Sequence, residues 1–394
     1  MKRGILLLLA AWLVTACTAG PTTTGTPAAA SGATAAPTAG PTTPPTPTPA
    51  PSPPAETTAF DEALAFLTPD TTLMSFDDWA QIKESLGASD VTSESPDDVR
   101  RQVLVDGLVA SDERPVSDLE YVVGGYGLQS ALVHAENWGF DVLDYEWDAT
   151  ISRDGPPISI VNLRDDLDLS PVIAHFEERD YASEDVGGVT LWTHELDPSA
   201  DWLTGELAIL NVGILEDGHT LVMSSSDEAV RDFLAAERAA ASESVLAAAE
   251  ALNGPSAAHL IIGADQICDF VDPVLSGGDE EIQQLLDSAG PLSTWDALAI
   301  GYSKELDPIG RVAFGYADPA AATADLEGRR LLAEEGPSLV RPEPLADVQF
   351  TVDDASATAG VLQLEVTPHE GWARNMLQAV LQRDLAYATC GRDE

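Results

Sequence analysis

Val348-Gln349-Phe350-Thr351-Val352 and Leu362-Gln363-Leu364-Glu365-Val366-Thr367-Pro368 decide the fold class of this chain. Val348, Phe350 and Val352 share one face of an extended segment, and Leu362, Leu364 and Val366 do the same in the next. This period of two belongs to strands with one buried side. A helix is expected from Pro368 to about Tyr387. Upstream, Asp296 to Tyr302 and Arg311 to Tyr316 read as strands and Pro319 to Ala333 as a helix. Nearer the start, Leu143, Tyr145, Trp147 and Ile151 fall on one face of an alternating strand. Ile158 to Val161, a helix from Pro171, Val189 to Trp192, His219 to Met223 and a helix from Asp227 capped by Ser226 follow in the same order.

The pattern predicts an α+β fold, with antiparallel sheets and helices packed on one face. It reads as two related β-β-α-β-β-α halves, 59–253 and 254–394, the first with an insertion around Asp197 to Leu215. Ser95-Pro96, Ser170-Pro171, Asp318-Pro319 and Thr367-Pro368 pair a capping oxygen with a proline at the first helical position. There the missing N–H forfeits no intrahelical bond.

Sixty-six acidic residues stand against 19 basic ones, a net charge of −47. Lysine occurs only at Lys2, Lys83 and Lys304. Such a surface repels polyanions, which excludes nucleic acid as a partner. Loss of lysine throughout the chain fits a general adaptation of the solvent face to habitat better than a single cation site.

The N-terminus carries Lys2-Arg3, an apolar run from Ile5 to Val14, and then Thr15-Ala16-Cys17. A charged start, a short apolar middle and small residues before a cut form an export signal. The run is far short of the ~20 residues needed to span a bilayer. With cysteine after the small residues, this segment resembles the lipobox of a prokaryotic lipoprotein signal, of a bacterial, actinobacterial-like kind. The resemblance covers 1–17 alone. It implies cleavage after residue 16, a diacylglyceryl group on Cys17, and a place on the outer face of the cytoplasmic membrane or the cell surface.

Residues 17–58 supply the tether. The stretch is mostly Thr, Pro, Ala, Gly and Ser, with no charge between Arg3 and Glu56. It holds too little apolar surface to offset the entropy of folding. In extended polyproline geometry it reaches up to roughly 100 Å. Its threonines beside prolines are candidate glycosylation points.

Outside the cytoplasm the two remaining cysteines, Cys268 and Cys390, read as a disulfide. Asp144, Glu146 and Asp148 alternate with Tyr145 and Trp147. On a strand they form a carboxylate row about 7 Å apart, a candidate face for a hard cation or an acid–base pair. In an acid-rich chain the same row also serves as a plain solvent face. Trp202, beside Asp201, is the candidate exposed aromatic. Asp166, Asp168, Ser170 and Glu177 match calcium-loop spacing, but Pro171 sits where that loop turns on glycine. His194 and Glu195 point to opposite faces of a strand, and no HExxH, GxSxG or GK motif occurs. Gly125-Tyr126-Gly127 lacks the third glycine of a dinucleotide loop.

The sequence therefore points to a lipid-anchored, extracytoplasmic envelope protein, a non-enzymatic binding or scaffolding module needing no cofactor. Its expected partners are the membrane, through the N-terminal lipid, and an envelope protein, glycan or lipid. A carrier of a small hydrophobic or lipid ligand is the first alternative, and a carboxylate-dependent envelope hydrolase the second.

Overall fold

Twelve strands join edge to edge in one antiparallel sheet. The structure is a computed structural model that describes residues 57–104, 131–194, 211–236, 238, 241–278, 280–304, 308–369 and 373–390. The elements up to the middle of the chain are α1 (Ala59–Leu64), β1 (Leu73–Asp78), α2 (Trp79–Ser85), α3 (Asp97–Arg101), α4 (Ala131–Trp138), β2 (Tyr145–Ser152), β3 (Ile158–Leu163), α5 (Ser170–Glu178), β4 (Ala182–Val186), β5 (Val189–Thr193), β6 (Asn211–Ile214), β7 (Thr220–Ser224) and α6 (Asp227–Ala235). Then come α7 (Glu243–Glu250), β8 (Ala257–Ile262), α8 (Asp265–Ser276), α9 (Glu280–Ala289), β9 (Ala297–Lys304), β10 (Pro308–Gly315), α10 (Pro319–Glu335), α11 (Leu345–Val348), β11 (Phe350–Thr358), β12 (Val361–Pro368) and α12 (Ala373–Gln382).

The strand order is β11-β12-β10-β9-β8-β1-β2-β3-β7-β6-β5-β4. The α+β class and the antiparallel pairing agree with the sequence pattern. The two expected sheets are one, because β1 and β8 pair antiparallel at the centre, with Ser75 opposite His259. Neither strand is among those expected from the sequence.

Helices cover both faces, a correction to the one-sided packing expected. Met74, Phe76, Trp147, Ala149, Ile151, Ile160, Leu260 and Ala299 point to one face, under α1, α6 and α7. On the other, Tyr145, Val161 and Leu163 pack with Trp138, Val172 and Phe176 from α4 and α5. Farther along that face Leu298, Ile300, Val312, Phe314, Leu362, Leu364 and Val366 pack with α8, α10 and α12. Alternate residues of the inner strands are therefore apolar on both sides, as a sheet buried on both faces requires.

The boundary expected at 253/254 does not separate one core from another. Val245 and Ala248 of α7 pack in one cluster with Ala297, Ala299 and Ala313 of β9 and β10. The approach is close enough to need glycine: a Cβ on Gly315 would stand 2.1 Å from the Ser244 carbonyl oxygen. Ala55–Glu394 accordingly forms one compact unit.

Two of the expected caps are present. Asp318 accepts from Ala320 N at 3.0 Å and Ser226 from Ala229 N at 3.2 Å. At α5 the helix starts at Ser170 itself, so Ser170 does not cap it; the N-cap is Leu169, without a side-chain bond, and Asp168 holds the Ser170 amide at 2.9 Å. Ser95 accepts from Thr92 N and leaves α3 without a side-chain cap. Thr367-Pro368 ends β12 and starts no helix; Thr367 Oγ1 donates to Asp353 across the strand pair at 2.6 Å.

Candidate functional site

The carboxylate row expected at Asp144, Glu146 and Asp148 is broken by local geometry. Asp144 lies outside β2, closing a 3-10 turn over Val142–Asp144, and its side chain is fully buried. The pairing of β2 with β3 slips between Tyr145 and Trp147, and a bulge of this kind re-aims the residues beside it. Tyr145 joins one core and Trp147 the core on the opposite face, so the single apolar face expected there is also corrected.

Each carboxylate has a different environment. Asp144 accepts from Arg164 Nε at 3.0 Å, Ser93 N at 3.2 Å and Asp141 N at 3.0 Å. Asp148 accepts from Trp79 Nε1 at 2.7 Å. Glu146 remains half-buried, and burial raises its pKa while Lys83 opposes the shift. Lys83 is buried, donates to the Leu143 carbonyl at 2.9 Å and is pushed down by that burial, against the pull of Glu146 and Asp144. Burial likewise raises Asp78, opposed by its bonds from Gln81. Arg100 completes the group through Asp141 at 2.5 Å. A buried carboxylate with three donors holds two chain segments together and presents no oxygen to a substrate. The three carboxylates therefore do not stand in one row: Asp144 and Asp148 are turned into the fold and Glu146 alone stays half-buried.

The other candidates resolve separately. Asp166 pairs with Arg164 at 2.7 Å while Asp168 holds the Ser170 amide, so the calcium-like spacing does not converge. His194 stacks on Tyr181 with ring centroids 4.9 Å apart. Cys17, Trp202, Glu195 and Gly125-Tyr126-Gly127 lie outside the described residues. Cys268 and Cys390 are bonded, with Cα atoms 5.5 Å apart. Thr389 Oγ1 donates to Asp272 beside them, and Cys390 N reaches the same oxygen at 3.1 Å.

A groove of about 620 Å³ opens elsewhere, between α9, α10 and the segment Pro337 to Pro344. Ile282 and Leu285 of α9, Leu331 of α10, and Pro337, Pro342 and Pro344 supply its apolar lining. Glu281, Glu335 and Glu343 add three carboxylates, and among the described residues no basic one lines it.

Its far wall is anchored at one buried residue. Asp384 accepts from Ser338 Oγ at 2.8 Å and Leu339 N at 2.6 Å. Gln349 donates to the Asp384 carbonyl at 2.9 Å and to its side chain at 3.2 Å. Pro337 and Pro344 bridge, and Leu345 N bonds to Gly336 O at 2.9 Å. The loop is thus held in one shape from below while its prolines face outward. Sequence reasoning missed this site. Its signals were the period of Ile282, Leu285, Leu286 and Ala289 in an otherwise polar helix, and three prolines within eight residues.

No family model and no curated protein matches the chain. A solved structure described as "Structure of crystal form I of TP0453" aligns at a TM-score of 0.37 and 8% identity, over 81% of this chain and 97% of that one. A likeness that distant carries no weight for fold or function.

Proposed function

We propose that this chain is a lipid-anchored envelope protein whose folded region is a non-enzymatic binding module. Its ligand is small, hydrophobic or lipid-like, and positively charged at one end. The groove between α9 and α10 carries this reading. Its volume of about 620 Å³ falls in the ordinary range of ligand sites, roughly 300–1,000 Å³. Apolar lining supplies affinity at about 0.8 kcal/mol per buried methylene. Glu281, Glu335 and Glu343 select the sign of the head group. Asp144 and Asp148, two of the three carboxylates on which a hydrolase reading rested, are engaged in the fold. Among the described residues no helix is long and apolar enough to cross a membrane; the proposed attachment rests on the Cys17 signal alone.

The test titrates the full-length chain with a single-chain alkyl trimethylammonium below its micelle threshold. A neutral alkyl glucoside and tetramethylammonium serve as comparisons. Saturable binding is expected, weaker for the glucoside and at least tenfold weaker in Leu285→Gln. Equal binding of tetramethylammonium, or no effect of Leu285→Gln, would reduce the interaction to bulk attraction by an acidic surface. Attachment is tested separately, by the mass of the N-terminal peptide from membrane-extracted protein. A diacylglyceryl-modified Cys17 supports the anchor, and an unmodified, uncleaved N-terminus removes it.

A further inference from the structure

In a chain with 66 acidic residues, two arginines converge on one phenylalanine ring. Arg153 follows β2, and Arg238 lies just beyond α6. Both guanidinium groups sit over the ring of Phe233, at 5.9 Å and 4.1 Å from its centroid. Arg238 also lies 5.6 Å from the centroid of Phe66, whose ring packs 6.0 Å from that of Trp147.

The two charges are held differently. The Arg153 side chain is 8% exposed; it donates to Ala229 O at 3.0 Å and stands 3.7 Å from Asp70. Its buried Nε has no acceptor. Arg238 is exposed and makes no ion pair among the described residues. Its pKa is lowered by partial burial of the group and by Arg153, with no carboxylate opposing the shift. Arg231 of α6 differs, with Glu184 and Asp227 both beside it.

We propose that Arg238, backed by Arg153 on the Phe66–Phe233 platform, is a binding site for a small free oxyanion, a phosphate or carboxylate. Asp70 offsets Arg153 in part, whereas among the described residues no carboxylate offsets Arg238, and a like charge drawn to the same ring opposes folding until an anion balances it. Contacts with Phe66 and Phe233 hold the Arg238 guanidinium in place, and its planar fork of donors suits carboxylate and phosphate oxygens. A free ion fits better than a headgroup in an anionic bilayer, because the surrounding acidic surface repels a membrane while salt screens a small ion's approach beyond about 8–10 Å. This site lies apart from the α9–α10 groove, so either can fail alone.

The test measures binding of inorganic phosphate and of acetate to the full-length chain by calorimetry, with melting temperature as a second readout. Expected are saturable binding of both ions and a rise in melting temperature with phosphate. Arg238→Gln should weaken binding at least tenfold, and Arg231→Gln should leave it within twofold. Arg238→Gln changes an exposed side chain, and its own melting curve reports whether the fold persists. Binding that survives in Arg238→Gln would overturn the site. So would a variant that simply melts higher in the absence of any anion effect on the parent chain. Phosphate-headgroup vesicles that bind where free phosphate does not would overturn the choice of a free ion.

Discussion

The two stretches of core that share one face of the sheet are closed by different chemistry. Under α2 to α5 the seams are charged: Arg100 meets Asp141, Arg164 meets Asp144, and Lys83 rests on a carbonyl near Glu146. Under α8 to α12 main-chain acceptors dominate, although Arg329 also stands 3.7 Å from the buried Asp325. Arg329, fully buried, donates to Tyr387 O at 2.9 Å, to Thr389 O and to Ser293 O at 2.8 Å, with its guanidinium 4.9 Å from the centroid of Phe314. The disulfide ties the same C-terminal segment to α8. The second arrangement fixes a rigid frame beside which a groove can stay open. The first binds α2, α3 and the turn before β2 into place and uses up its charges in doing so.

The comparison is broken most severely by opening the covalent closure. Cys390→Ser should destabilise the chain by ~4–5 kcal/mol, the entropy of a loop spanning 122 residues. The effect is read by denaturant unfolding and should vanish when parent and variant are both reduced. A difference that persists under reductant would show that packing of the residue, and not the bond, carries it.

Next come Arg329→Ala and Arg100→Ala. Each should cost about 3–5 kcal/mol, because each strands buried groups that it now satisfies. The two should diverge on acidification. Loss of Arg100 leaves a buried Asp141 carboxylate that protonation can neutralise, so its penalty should shrink toward acid pH. Loss of Arg329 strands carbonyls that do not titrate, beside a buried Asp325 that keeps its bonds from Ser293, so acidification should relieve less of its penalty. Parallel pH curves would erase the distinction drawn between the two regions.

Alkali should separate the regions again. Burial pushes Tyr316 up to about 12 from 10.0, and Tyr387 upward as well. The folded chain keeps those protons where the unfolded chain releases them, so stability tied to them is full below pH 10.0 and lost as pH rises through about 12. Lys83 has the opposite sign. Its folded pKa is below the ordinary 10.5, so its contribution improves as pH rises from the lowered value toward 10.5. Hydrogen exchange in alkali should therefore speed first around Tyr316 and Tyr387. The smallest change is Trp79→Phe, which removes one indole donor from Asp148 and should cost ~1.5–3 kcal/mol in thermal unfolding.

Much of the fold was legible because its outer strands alternate. Leu362, Leu364 and Val366 are all buried, and β9, β10 and α10 lie close to where periodicity put them. Strand β8 was not legible for the opposite reason: Ala257 to Ile262 is buried on both faces, so alternation disappears. Strand β1 carried a signal in Met74 and Phe76, but Ser75, Asp77 and Asp78 among its six residues read as loop, although Asp77 and Asp78 are buried. The bulge at Glu146 could not be foreseen, since a one-residue slip is set by pairing with β3 and by the turn at Asp144. At the candidate site the amphipathic period of α9 and the three prolines were the visible signals; the groove itself depends on Asp384, far along the chain from Ser338.

Hydrogen exchange followed by mass spectrometry, with and without the alkyl trimethylammonium ligand, tests the central claim that the second region binds while the first holds. The account predicts slowed exchange confined to peptides from α9, the end of α10 and Pro337 to Pro344. Protection in peptides from α2, α3 or the Asp141 to Asp148 segment, with none at the groove, would contradict it.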